Sequence, residues 1–257
     1  MEGQRETTTR SSLTALYCFD LDGTLCDSKQ IVPSVIKKEL SKLLRKNVVV
    51  VMSGAPVKQF QTQLLRDFQT PIKGELYIVP TSGASCYKVS KFGNLESLWD
   101  IRFNFLDKVH VGGNLVQAIK ECLGEFPPAF DDPFEDRDGQ ITWSALGQTA
   151  PLEEKKKWDA DKSKRTRIVM RLRELLQDKY QVALGGSTSI DITPKGVNKA
   201  FALLQLMRYL KPDKTVYVGD DLGTGGNDEC VKSVPLVECV SVTGPSETLA
   251  KLIRWNE

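Results

Sequence analysis

The sequence predicts an α/β fold whose mostly parallel sheet is interrupted by an inserted α+β unit, and three observations carry this. Apolar runs of strand length alternate with helical patterns at the start of the chain. The middle turns to alternating, one-faced strands between helices, and regular strand-helix order returns near the end. A length of 257 residues accommodates a core and an insert.

The first element is an apolar run over residues 13–19, a strand that empties into Asp20, Leu21, Asp22, Gly23 and Thr24. Val35, Ile36, Leu40, Leu43 and Leu44 recur at helical spacing, with Ser34 placed to cap them. The β-branched run over residues 47–52 reads as a strand buried on both faces, ending in Ser53 and Gly54. Pro56 then opens a helix with Val57, Phe60, Leu64 and Phe68 on one face. Residues 76–79 read as a third strand, followed by a hairpin that turns at Phe92, Gly93 and Asn94.

From about residue 91 the pattern changes, so the insert is assigned to residues 91–193. It holds a helix with Leu115, Val116, Ile119 and Leu123, and a strand in which Ile141, Trp143 and Ala145 alternate with Thr142 and Ser144. A second helix covers residues 165–176, and two strands are split by Gly185 and Gly186. The charge run over residues 153–173 reads as a solvated helix face. A helix with Phe201, Leu204 and Met207, strands over residues 215–218 and 236–242, and a terminal helix after Pro245 complete the core. The core is thus discontinuous, residues 13–90 and 194–257, behind a disordered tail at 1–12.

Composition narrows the function classes. With 35 Lys and Arg against 33 Asp and Glu, a net charge of +2 argues against nucleic acid as a partner. The six cysteines form no CxxC and His110 is the only histidine, which excludes a structural zinc site and fits reduced thiols in the cytoplasm. The longest strongly apolar run is far shorter than a membrane span.

The chemistry begins at Asp20 and Asp22. Carboxylates this close repel unless a hard divalent cation lies between them, so Mg²⁺ is implied. Asp20 is then placed to attack phosphorus and Asp22 to move the proton. Ser53 and Gly54 end a buried strand before a helix, a place where hydroxyl and amides hold a phosphate oxygen. Lys199 opens a helix, where a cation needs an anion to face. Val218 and Gly219 deliver Asp220 and Asp221 into a glycine-rich loop with Asn227 and Asp228, so Asp220 completes the metal cage and Asp221, Asn227 and Asp228 support it from behind.

The stretches FDLDGTLCD, MSG, GVNK and VGDDLGTGGND resemble, in order, the four motifs of the haloacid dehalogenase superfamily of phosphotransferases. The insert is similar to the C2-type cap of the Cof-like branch on a Rossmann-like core. RDGQITWSALGQ and GGSTSIDITPKGVNK extend the similarity to the eukaryotic-type phosphomannomutases, nearly end to end. The resemblance implies Asp20 as nucleophile, Asp22 as acid/base, and Ser53 and Lys199 as phosphate holders. It implies Mg²⁺ on Asp20, the Asp22 carbonyl and Asp220, and sugar-phosphate contacts from Arg137, Ser189 and Asp191. Where that family grips the distal phosphate with arginines, this chain has Lys29, Gln148 and Lys155, and Lys232 and Val234 occupy the region of its second cation site.

The leading expectation is a Mg²⁺-dependent phosphatase acting on a small phosphorylated metabolite, a sugar phosphate foremost, because glutamine brings no charge and lysine lacks the bidentate fork. The alternatives are a phosphohexomutase, which shares every core residue, and, more remotely, a non-catalytic phosphosugar-binding protein. The sequence leaves the oligomeric state open, a homodimer through the cap being one arrangement.

Overall fold

The computed structural model describes residues 15–177 and 179–257. The tail expected at residues 1–12 and the start of the first strand lie outside the described residues. The chain opens with β1 (Ala15–Asp20), α1 (Ser34–Leu43), β2 (Val48–Met52), α2 (Val57–Phe60) and β3 (Glu75–Val79). The hairpin β4 (Ser85–Val89) and β5 (Leu95–Asp100) follows, then α3 (Phe105–Leu123), β6 (Phe134–Asp136), β7 (Ile141–Ser144), α4 (Leu152–Trp158) and α5 (Ser163–Leu176). The last elements are β8 (Tyr180–Leu184), β9 (Ser189–Pro194), α6 (Lys199–Leu210), β10 (Lys214–Gly219), β11 (Val237–Ser241) and α7 (Pro245–Asn256).

Seven strands form the main sheet in the order β11-β10-β1-β2-β3-β4-β5, with β4 and β5 antiparallel and the rest parallel. Successive crossovers run outward from β1 in both directions, so the chain reverses beside β1 and leaves a crevice at the strands' carboxyl ends. Asp20 ends β1, Ser53 follows β2 and Asp220 follows β10, which sets all three along that edge of adjacent strands. Both sheet faces are covered, as an all-apolar β2 requires. Ile36, Leu40 and Leu43 of α1, Phe60 and Leu64 after β2, and Leu252 of α7 cover one face. Ala202, Leu203, Leu206 and Leu210 of α6 cover the other.

A second antiparallel sheet, β6-β7-β9-β8, packs its apolar face on α3 and α5 around Trp143, Ile190 and Ile192. The boundary expected at residue 91 is corrected by the sheet itself: β5 pairs with β4 in the seven-stranded sheet, so the change of pattern at 91 marks a hairpin turn and not the insert. The expected one-faced strand over residues 141–145 also differs, since Thr142 and Ser144 are buried as fully as Trp143. Their polar face looks into the cleft between the sheets and not into water.

Two helix ends depart from expectation. Ser34 is the first helical residue and Pro33 occupies the cap position, with no side chain capping the helix. The helix after Pro56 lasts four residues and passes into a π-helical turn, Gln61–Leu65, so little helix dipole aims at Ser53.

Candidate active site

Asp20, Ser53 and Asp220 lie where strands of the main sheet stop, because the loops at the carboxyl edge are free to carry polar groups that the buried strands are not. Asp20 is 2% exposed, and its Oδ1 accepts from Lys199 Nζ at 2.5 Å. The same ammonium donates to Asp228 Oδ1 at 2.6 Å, and Tyr217 donates its hydroxyl to that oxygen at 2.5 Å. Lys199 stands at the first position of α6, whose cap is Asn198 accepting from the Phe201 amide at 2.9 Å. The anion this lysine was expected to face is thus a pair of carboxylates. Burial alone would depress its ammonium, but Asp20 and Asp228 outweigh that and hold it up.

One ammonium does not balance three acids. Oxygens of Asp20, Asp220 and Asp228 lie within 4.8 Å of one another. Burial first, then Asp228 and Asp220, push the Asp20 carboxyl well above its ordinary range against the pull of Lys199. Burial and Asp228 raise Asp220 likewise, while Thr24 Oγ1 donates to its Oδ1 at 3.1 Å. Asp20 Oδ2 and Asp228 Oδ2 are buried without a partner. A Cβ on Gly23, whose φ is +87°, would collide with the Asp220 carboxylate, so only glycine lets the loop after β1 approach it. Excess negative charge, orphaned hard oxygens and a loop shaped around them fit a divalent cation such as Mg²⁺.

Ser53 is buried, its Oγ accepting from the Ala55 amide at 3.1 Å, and the turn at Thr81 and Ser82 braces it through Ser82 N donating to Ser53 O at 3.0 Å. The carbonyl of Gly54 is taken by the second sheet: Arg137 Nη1 donates to it at 2.5 Å and Gln140 Nε2 at 3.1 Å. Arg137 also pairs with Glu135 at 2.6 Å. Asp191, half-buried on the cleft wall, accepts from Thr142 Oγ1 at 2.8 Å, and burial raises its carboxyl despite Arg137. Ser189 shares a 2.7 Å hydrogen bond with Ser144, which in turn accepts from Gln148 Nε2 at 2.8 Å.

These groups enclose a cleft of about 610 Å³ that brings together Asp20, Asp22, Ser53, Gly54, Lys29, Arg137, Gln148, Ser189, Asp191, Asp220, Asp221 and Asn227. Lys199 and Asp228 sit behind Asp20 and not on the cleft wall. Lys155 reaches the site through Gln148, whose main-chain oxygen accepts from both Lys155 Nζ and Lys29 Nζ at 2.8 Å. Asp221 faces away from the other acids, toward Lys162 Nζ at 3.1 Å.

Sequence reading missed several residues here. Arg165 and Asp159 are both buried, paired at 2.7 Å, and Arg165 Nη1 also donates to the Gly186 carbonyl beneath the loop after β8. They belong to the charge run expected to be solvated. Periodicity carried the signal, since Arg165 shares the inward face of α5 with Ile168, Val169 and Leu172.

A strand-end carboxylate, a buried lysine and a cluster of three acids at the open edge of a switch-point sheet define a phosphotransferase of the haloacid dehalogenase type. Solved structures share this fold: an IMP-nucleotidase of Plasmodium falciparum has a TM-score of 0.67 at 19% identity, covering 94% of this chain and 70% of that one. The C-terminal domain of trehalose-6-phosphate phosphatase from C. albicans has a TM-score of 0.61 at 16% identity over 95% and 92%. Within the class, the chain belongs to the eukaryotic phosphomannomutase family, whose family model matches residues 36–255. The phosphomannomutase of Triticum aestivum is 27% identical over 253 residues, 93% of this chain and 94% of its own length, and phosphomannomutase 1 of Dictyostelium discoideum is 28% identical over 240 residues, 90% and 92%.

This overturns the expected phosphatase. End-to-end relatives are phosphomannomutases, and the expectation rested on counting lost arginines. What that count overlooked is convergence: Lys29 and Lys155 meet at one carbonyl, restoring two positive charges where Gln148 brings none.

Proposed function

We propose that the chain is a phosphohexomutase of the phosphomannomutase type, interconverting hexose 6-phosphate and hexose 1-phosphate. The observation that supports this best is a cleft with room for a second anion. Lys29 and Arg137 line it together with Asp20 and Ser53, and Lys155 meets Lys29 at the Gln148 carbonyl, so it offers cations besides the Lys199 that pairs with Asp20. A hydrolase has no need of cations beyond those that hold the transferring phosphoryl group.

Asp20 would accept the phosphoryl group as an aspartyl-phosphate and pass it to a sugar hydroxyl, while Asp22 takes the hydroxyl proton and later returns it. Lys199 and Ser53 would hold the transferring oxygens. Asp20, the Asp22 carbonyl and Asp220, with Asp228 near, would hold Mg²⁺, which when bound neutralises charge on the phosphoryl oxygens. Lys29 and Lys155 would grip the phosphate that is not reacting, so that a bisphosphorylated intermediate can turn without escaping. Arg137, Ser189 and Asp191 would fix the sugar, and closure of the second sheet over the cleft would exclude water. No helix among the described residues is long and apolar enough to cross a membrane. Six free cysteines support a reducing compartment such as the cytoplasm.

A coupled assay with hexose 6-phosphate, a trace of hexose bisphosphate and Mg²⁺ tests the reading. Hexose 1-phosphate should form faster than inorganic phosphate, and phosphate release alone would refute it.

A further inference from the structure

Asp22 is held by side chains that its motif does not contain. Gln59 Nε2 donates to its Oδ2 at 3.3 Å, Gln63 Nε2 to its Oδ1 at 3.3 Å, and the Lys29 amide to the same Oδ1 at 2.6 Å. The two glutamines are four residues apart, where α2 gives way to the π-helical turn. Turns of this widened kind recur at functional sites, because they re-aim side chains that a regular helix would send elsewhere. Gln63 is 3% exposed and its Nε2 also donates to Gln30 O at 2.7 Å, which pins it to the loop after β1. Gln59 is half-buried and lines the cleft.

We propose that Gln59 and Gln63, with the Lys29 amide, form a cradle that orients the Asp22 carboxylate and assigns proton exchange to its Oδ2. The inference rests on the phosphotransfer reading above and on Asp22 as its acid/base. Two donors anchor Oδ1 to the loop. Oδ2 has a single contact, at 3.3 Å from a residue on the cleft wall, so it is the oxygen a sugar hydroxyl can approach. In the transfer step the hydroxyl oxygen bonds to phosphorus as the bond from Asp20 to phosphorus breaks, and the hydroxyl proton passes to Asp22 Oδ2. The electron pair of the broken bond returns to the Asp20 carboxylate. Gln59 and Gln63 touch Asp22 and not the reacting phosphoryl group, so they are positioning residues. The Lys29 amide adds a link of its own, since the residue that donates it also presents a side-chain cation at Gln148.

Leaving-group dependence tests the cradle. Phosphoenzyme formation from a hexose bisphosphate expels an alkoxide that needs a proton, whereas an aryl phosphate with an acidic phenol expels a leaving group that does not. Gln59→Met and Gln63→Met should slow the sugar reaction roughly 10- to 100-fold, within the range of general acid-base contributions, with KM and the aryl phosphate rate unchanged. Lys58→Met, an exposed neighbour, should change neither. Asp22→Asn separates the two ideas. If it discriminates between leaving groups and the glutamine variants slow both substrates alike or neither, the cradle is overturned while the acid/base reading stands. If Asp22→Asn itself does not discriminate, both fall. Should Gln63→Met fail to fold, Gln59→Met at the cleft wall carries the test.

Discussion

Lys29 reaches across the cleft to Gln148, donating from Nζ to its main-chain oxygen at 2.8 Å and to its Oε1 at 2.5 Å. A residue of the loop after the first strand thereby meets the second sheet's layer at the point where Lys155 also arrives. Two cations at one carbonyl are poorly compensated. Burial first, then Lys155 and Arg137, lower the Lys29 ammonium to about 8.

That value predicts a pH dependence of substrate binding. Lys29 is charged below about pH 8 and loses its proton as pH rises through it, so its hold on a phosphate weakens on the alkaline side. KM for hexose 6-phosphate should stay flat below about 8 and climb above it. Lys29→Arg, whose charge does not titrate, should flatten the climb, and Lys29→Met should raise KM at neutral pH by roughly 10- to 100-fold, the value of a charge-assisted hydrogen bond of ~1.5–3 kcal/mol. An unchanged alkaline limb in Lys29→Arg would show that another group titrates.

Lys199→Met predicts a loss of stability as well as of catalysis. Lys199 is 3% exposed and pairs with Asp20 and Asp228, so its removal leaves two buried carboxylates with no countercharge. Breaking a buried pair from one side costs about 3–5 kcal/mol. Urea denaturation should register that loss at neutral pH, and phosphoenzyme formation should disappear. A variant as stable as the parent would mean that the carboxylates take up protons or water at no cost.

How much of this was legible in the chain depends on what each residue answers to. Asp20, Ser53 and Asp220 were readable because each stands at the end of a largely apolar run of strand length, and a buried parallel strand has only one edge at which to present a polar group. Lys199 was readable from its misfit at a helix start. Gln59, Gln63 and Tyr217 were not, since the partner of each is set by how separate elements pack together. Tyr217 reads as one more strand residue until its hydroxyl is found on Asp228. The hairpin β4–β5 shows the reverse case, with both strands legible and their sheet hidden, because pairing partners leave no local trace.

The cation cage predicts a thermal signature independent of turnover. Mg²⁺ should raise the melting temperature, since a ligand at a hundred times its Kd stabilises by about 2.7 kcal/mol. Asp220→Asn should abolish most of that response and, by removing one of three crowded negative charges, leave the metal-free protein at least as stable as the parent. Calorimetry with and without chelator measures both effects. An Asp220→Asn protein with the full Mg²⁺ shift would place the cation elsewhere.

The distal lysines predict how the phosphoryl group is partitioned. A mutase must keep its bisphosphorylated intermediate bound while the sugar turns, so the fraction converted depends on how long the idle phosphate stays gripped. On the mutase reading Lys29 and Lys155 would supply that grip at Gln148, while Asp20 and Lys199 pair with each other and with Asp228 and contact neither lysine side chain. Replacing both with methionine should therefore spare phosphoenzyme formation from an aryl phosphate. The intermediate should escape more often, and the stranded aspartyl-phosphate should then meet water. Each lost contact is worth ~1.5–3 kcal/mol, and neighbouring substitutions add imperfectly, so the ratio of hexose 1-phosphate to inorganic phosphate should fall by roughly 100-fold or more in the double variant. Quantifying both products in one coupled reaction measures the ratio. A double variant that isomerises hexose 6-phosphate as cleanly as the parent would move the second phosphate site away from Gln148.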